Sequence, residues 1–336
     1  MALTGCPTRE VDLAIVGAGV AGLTAATVAA QHGLDVLVVE RMGAGGQVMN
    51  VEQVHNMPGF PQGVSGFELG PLLQEQAEAA GAQFTLDTVE RLEPRAGRHL
   101  LHCAAESIAA RSVLIAAGSM RRGLGLPGED AFQGRGVSHC ASCDGPLFRG
   151  QPVCVAGGGD SAFSEALVLA HHAGHVAVAF RETQPHAQHY LAEALCAMPN
   201  VELLPDTAIV GITGGQGVTG VRLQTAGVIR ELPVQGIFVF AGLVPDTTFL
   251  RGTLKLDAAG RIETDASMAT SVQGVFAAGD IRAGSPSLLA SAAGDGAAAA
   301  AAAFHYLRTR AFEPRGSREP SPATLQPAAA TLDQLT

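Results

Sequence analysis

The chain has no tryptophan, two tyrosines and only 4% aromatic residues, and charged residues make up just 15%. With 42 glycines and 47% hydrophobic residues, this is the composition of an Ala- and Gly-rich α/β enzyme. Positive charge is scarce: 21 Lys and Arg against 31 Asp and Glu leave a net charge of −10. That excludes the clustered cations a nucleic-acid footprint needs. No apolar run is long enough to cross a bilayer, and the N-terminus lacks the charged-then-apolar order of a signal peptide. A cytoplasmic protein with no membrane partner is therefore expected. Six cysteines in 336 residues do not make a secreted disulfide framework. Only Cys140 and Cys143 have a motif spacing, and Cys6, Cys103, Cys154 and Cys196 are read as buried or incidental thiols. No second CxxC and no paired histidines stand at ligand spacing, so a zinc site is set aside. His171, His172, His175, His186 and His189 are read as surface residues.

What the sequence does hold is repeated. Residues 11–40 run from an apolar stretch through a glycine turn and an Ala-rich stretch to a second apolar run ending in Glu40. That order is a βαβ unit. Residues 151–182 repeat it. Ala110–Met120 reads as a buried strand and Gln273–Asp280 as another, both closing on the first cofactor site. A helix is expected to start near Ser287 and run to Arg310, and 311–336 to be a disordered tail.

In the first unit Gly17, Gly19 and Gly22 form GxGxxG, and Glu40 follows at the end of the second strand. The first glycine makes the tight turn, the second admits a pyrophosphate to the backbone, and the third lets helix and strand pack. Glu40 is placed to accept from a ribose hydroxyl. The second unit carries Gly157-Gly158-Gly159-Asp160-Ser161-Ala162, a GxGxxA variant suited to a nicotinamide dinucleotide. A 2′-phosphate calls for Arg just after the second strand, and here Arg181 is followed by Glu182. NADP(H) is doubtful on that ground, with NADH or a vestigial site (Gly157, Gly159, Arg181) as the alternatives.

These fingerprints, with Cys140-Ala141-Ser142-Cys143-Asp144 between them, resemble the low-molecular-weight thioredoxin reductase family of pyridine nucleotide-disulfide oxidoreductases. The resemblance runs from Val11 to about Arg308. It includes the segment Gly45–Phe60, the turn IAAGSMRRGLGLPGE, the stretch Gly136–Gly150 and GVFAAGD. It implies two Rossmann-like dinucleotide-binding domains, the second inserted into the first. The FAD-binding domain would occupy 1–119 and 244–310, and the inserted NAD(P)H-binding-like domain, carrying the CxxC, 120–243. It further implies that FAD is held by Gly17, Gly19, Gly22, Glu40, Gly46, Gln47, Asn56, Gly118, Gly279 and Asp280. Cys140 and Cys143 become the redox pair, Cys143 facing the flavin and Cys140 the external sulfur, and a homodimer is implied. Asp144 is placed to exchange a proton with the departing thiol or, alternatively, to sit beside the helix as an N-cap-like acid. His139 could stabilise a thiolate or merely flank the pair.

Two departures shape the functional expectation. Where the reductases carry HRRxxFRA, this chain has Phe180-Arg181-Glu182-Thr183-Gln184-Pro185-His186-Ala187. Where they carry YRQA, it has Pro286-Ser287-Leu288-Leu289. The eroded nicotinamide clamp favours reversed flow: a small-molecule dithiol reduces the Cys140–Cys143 disulfide, and dioxygen is the terminal acceptor through FAD. That resembles the dithiol oxidases of antibiotic and other natural-product biosynthesis, of the gliotoxin, holomycin and romidepsin type. The alternatives are an NAD(P)H-dependent reductase of thioredoxin or a thioredoxin-like protein, and a non-catalytic FAD-binding redox sensor.

Overall fold

In the computed structural model, residues 9–250 and 252–309 are described; the tail expected over 311–336 lies outside them. Along the chain come β1 (Arg9–Val16), α1 (Val20–Gln31), β2 (Val36–Glu40), α2 (Gly66–Ala79), β3 (Gln83–Leu86), β4 (Val89–Glu93), β5 (His99–Cys103) and β6 (Ser107–Ile115). Next are β7 (Ser119–Arg121), β8 (Val137–Ser138), α3 (Ala141–Asp144), β9 (Pro152–Ala156), α4 (Asp160–Ala170), β10 (His175–Ala179), α5 (His189–Cys196) and β11 (Val201–Leu204). The remainder is β12 (Thr207–Gly214), β13 (Val218–Thr225), β14 (Val228–Pro233), β15 (Gly236–Val239), β16 (Leu243–Pro245), β17 (Val275–Ala277) and α6 (Leu289–Thr309).

Residues 13–16 of β1 and 36–39 of β2 are apolar and buried, as parallel strands covered on both faces must be. They belong to a seven-stranded sheet, ordered β3-β2-β1-β6-β5-β4, in which β17 also pairs with β6. The second βαβ unit lies in a five-stranded sheet, β11-β10-β9-β15-β8, accompanied by the antiparallel sheet β12-β13-β14. Both larger sheets put a helix N-terminus at the carboxyl end of their first βαβ strand, the architecture of two Rossmann-like units. The chain passes between them through one antiparallel ribbon, β7 with β16, in which Val244 faces Met120.

The alanines and glycine of α6 permit close packing against α1. A Cβ added at Gly296 would meet the Ala21 carbonyl oxygen at 2.1 Å, so the helices touch backbone to backbone there. α6 begins at Leu289, close to the expected Ser287, which itself holds φ at +55°, outside the helical region. The stretch read as one strand over Ala110–Met120 ends at Ile115 and resumes in the ribbon at Ser119, broken by Gly118 at φ +66°. The strand expected over Gln273–Asp280 is only Val275–Ala277, since Gly279 turns away at φ +77°. Among the described residues, no helix is long and apolar enough to cross a membrane.

Candidate active site

The first glycine turn is built from backbone. Gly17 holds φ at +103°, its N–H donates to Val39 O at 2.9 Å, and a Cβ there would lie 2.5 Å from Ala116 O. A Cβ on Gly22 would meet Gly17 O at 2.0 Å, so this position lets α1 sit against the turn. At Gly19 an added Cβ would meet no atom within 4 Å, which leaves the backbone bare on the cavity wall. The Glu40 carboxylate accepts from Ala18 N at 2.7 Å and from the amides of Arg41 and Met42 at 2.8 and 3.0 Å.

These residues line a cavity of about 230 Å³ together with Gly46, Gln47, Gly118, Gly279 and Asp280. Gly22 lies beneath it, and Asn56 lines the neighbouring cavity instead. A bare glycine backbone at a helix N-terminus, with an acid at the end of the next strand, fits the pyrophosphate and ribose of FAD. Burial pushes the Asp280 carboxyl up, partly opposed by the Ser285 hydroxyl that donates to it at 3.2 Å. The turn bearing Asp280 is held from behind by buried Asp295. That carboxylate accepts from Gly279 N at 3.1 Å and from Arg282 Nε and Nη2 at 2.5 and 2.8 Å. Nothing in the sequence pattern marks Asp295, which sits inside an alanine-rich helix.

A second cavity, about 240 Å³, adjoins the first and shares Gln47, Asn50, Asp280 and Ser287–Leu289 with it. Its other wall is the start of α4: Asp160, Ser161, Ser164 and Glu165. The start of α4 therefore lies across shared space from the first cavity. His55 from the Gly45–Phe60 segment and Tyr190 of α5 meet edge to face, 5.7 Å between ring centres, at its rim. Gly157 repeats the first turn, donating to Ala179 O at 2.9 Å with φ at +138°. Gly157, Gly159 and Arg181 lie outside the lining of either cavity.

Cys140 and Cys143 form a disulfide, Cα to Cα 5.3 Å, and neither lines either cavity. Cys140 caps the short helix α3: its sulfur accepts from Cys143 N at 3.1 Å. Asp144 stands at the N-cap position of the 3-10 turn Gly145–Phe148, but its side chain makes no cap bond; its carboxylate accepts from the Ser138 hydroxyl at 2.7 Å. Ser138 in turn accepts from Cys140 N at 3.1 Å, so one hydroxyl ties the acid to the cysteine backbone. The His139 ring is half-buried, with Nδ1 3.1 Å from Val239 O. Behind the pair, Glu165 accepts from Ala141 N at 2.5 Å, and burial raises its carboxyl despite the nearby Arg121 guanidinium. Glu165 thus touches the CxxC helix on one side and the second cavity on the other. The sequence offered no signal for it, since a lone acid in SEAL looks like a solvated helix residue.

The family model for pyridine nucleotide-disulphide oxidoreductases matches residues 11–296. The thioredoxin reductase of Treponema pallidum is 40% identical over 89% of this chain and 98% of its own length. Among solved structures, Lactococcus lactis thioredoxin reductase in its FR conformation matches at TM-score 0.87 and 33% identity, covering 89% of this chain and 99% of its own. The T. acidophilum thioredoxin reductase matches at 0.85 and 32%, covering 88% and 98%. These relatives overturn the dithiol-oxidase expectation, with its small-molecule dithiol, its dioxygen acceptor and its place in antibiotic biosynthesis. The physical error was to treat weakened 2′-phosphate recognition as loss of the whole nicotinamide site. The second glycine turn keeps the geometry of the first, and the helix that follows it lines the second cavity.

Proposed function

The chain belongs to the FAD-dependent pyridine nucleotide-disulphide oxidoreductases, and we propose that within them it is a nicotinamide-dinucleotide-dependent reductase of a thioredoxin-type protein disulfide. One observation carries this reading: the start of α4 and the Asp280 turn wall a single cavity while the disulfide lies outside it. A nicotinamide, and not the cysteine pair, has the direct approach to the first cavity in this arrangement. When bound, FAD supplies the two-electron relay between a nicotinamide and a disulfide. Gly17, Gly19, Glu40, Gly46, Gln47, Gly118, Gly279 and Asp280 are the residues to hold it, with Gly22 seating the helix behind. Asn56, which lines only the second cavity, falls outside that set.

The cysteines act in two steps. After two electrons and two protons have opened the Cys140–Cys143 bond, Cys140 attacks the partner's disulfide as thiolate. Its sulfur is the one that receives the Cys143 N–H, and such a donor stabilises the anion. The partner's outer sulfur leaves with a proton and a mixed disulfide forms. Cys143 then attacks Cys140, restoring the enzyme disulfide and releasing the partner as a dithiol. Asp144, oriented by Ser138, exchanges the proton of the departing thiol. Because the pair lies outside the cavity, the inserted unit must turn on the β7–β16 ribbon between taking electrons and passing them on.

Anaerobic mixing of the FAD-loaded enzyme with a reduced nicotinamide dinucleotide should bleach the flavin, and oxidised thioredoxin should restore it as its own thiols appear. Cys140→Ser and Cys143→Ser should abolish the second phase and keep the first. Bleaching by small dithiols but by neither NADH nor NADPH would overturn the reading.

A further inference from the structure

The backbone fixes which residue of the second unit answers to Glu40. Gly17 N donates to Val39 O and Gly157 N to Ala179 O, each at 2.9 Å, so the next residue is Glu40 in one unit and Phe180 in the other. Phe180 is 2% exposed, lies edge-on to Phe163 with ring centres 6.1 Å apart, and fills the space where a Cβ on Gly158 would go. Its ring offers neither an acceptor for a ribose nor a cation for a phosphate. Recognition of the adenosine ribose passes to the next two residues, Arg181 and Glu182, both exposed.

That loop is pinned in place. Asp206 N donates to Glu182 O at 3.1 Å, the Thr183 hydroxyl donates to the Asp206 carboxylate at 2.9 Å, and His186 N donates to Gly158 O at 3.0 Å. The Asp160 carboxylate takes Gln188 N and Nε2 at 2.7 and 2.6 Å. His186, read from sequence as a surface residue, has Nε2 3.0 Å from the place a Cβ on Gly159 would occupy. One guanidinium, Arg181, therefore shares this end of β10 with the carboxylates of Glu182, Asp206 and Asp160. A 2′-phosphate brings roughly two negative charges at neutral pH, whereas a free 2′-hydroxyl is a donor that a carboxylate accepts.

We infer that the second site takes NADH in preference to NADPH, with Glu182 and Asp206 turning the 2′-phosphate away. This rests on the reductase function proposed above. Calorimetric titration of the FAD-loaded, oxidised enzyme with NAD⁺ and NADP⁺ reads affinity without turnover, and anaerobic stopped-flow with NADH and NADPH reads flavin bleaching. NAD⁺ should bind at least about tenfold tighter, and Glu182→Arg should raise NADP⁺ affinity about tenfold while lowering NAD⁺ affinity, so that the preference narrows or inverts. His186→Arg should add to the gain in NADP⁺ affinity. NADP⁺ binding as tightly as NAD⁺, or no response of NADP⁺ to Glu182→Arg, overturns the inference while NADPH bleaching keeps the reductase reading alive. If neither nucleotide binds or bleaches the flavin, the proposed function itself falls and takes the inference with it.

Discussion

The two glycine turns of this molecule are nearly the same object and sit in different surroundings. Gly17 and Gly157 make the same hydrogen bond to the second strand and both hold a positive φ. Each helix begins after a glycine N-cap in extended conformation. Then they diverge. The first unit uses Gly22 where the second has Ala162, because Gly17 O lies where a Cβ would be. α1 is backed by α6, while α4 carries Glu165, whose side chain reaches the CxxC helix. The turn fixes that a dinucleotide can be held; the residues just past the second strand and the packing behind the helix decide which one and for what.

The comparison can be broken from its strongest side first. Asp295→Ala strips Gly279 N and Arg282 of their buried partner and should cost about 3–5 kcal/mol, read as a fall in the denaturation midpoint with loss of bound FAD. Because the Asp280 turn also lines the second cavity, binding of nicotinamide nucleotide should weaken too, but less than retention of FAD. Gly22→Ala should destabilise by about 1–3 kcal/mol through overpacking and release FAD, whereas Ala162→Gly should leave FAD content unchanged; equal effects would mean the units are interchangeable.

Glu165 offers a finer test. Glu165→Ala leaves Ala141 N–H buried without an acceptor and should cost about 1–3 kcal/mol, while Glu165→Gln retains one. Burial raises the Glu165 carboxyl above its usual 4.5, so its protonated form favours folding: that contribution is full below pH 4.5 and is lost as pH rises through the folded value. The Gln variant should therefore gain on the wild type as pH rises from about 4 to 8, measured by denaturant unfolding. The smallest effect concerns the bystander thiols. Burial pushes Cys154 up to about 12, and burial followed by nearby Asp87, Glu106 and Glu90 pushes Cys103 to about 12. In a reduced Cys6→Ser protein, a chromogenic disulfide reagent should titrate Cys140, Cys143 and exposed Cys196 promptly, and Cys103 and Cys154 only after denaturation.

Residues that act through backbone spacing were readable in the sequence. Gly17, Gly19, Glu40 and the second turn at Gly157 announce themselves because a tight turn, a helix start and a strand end fall at fixed intervals. Residues that act through tertiary contact were silent: Asp295, Glu165 and Ser138 meet their partners across 16, 24 and 6 positions, with no period to betray them. Strand ends fall short where a glycine takes a positive φ, at Gly118 and Gly279, while α6 starts close to the expected Ser287, at Leu289. The expected direction of electron flow is overturned because two local departures, the basic positions lost around Arg181-Glu182 and Pro286-Ser287-Leu288-Leu289 in place of YRQA, do not speak for a whole site.

The ribbon of β7 and β16 has a mechanical consequence. Two chain passages left separate would let the inserted unit wander, but Ser119, Met120 and Arg121 are laced to Pro245, Val244 and Leu243 along their length. Zipped together they behave as one strap, which resists stretching and shear and yields most easily to twist. Friction from the solvent would then oppose the turning proposed above, and if that turning occurs added viscogen should slow steady-state turnover more than it slows a single pulse of bleaching.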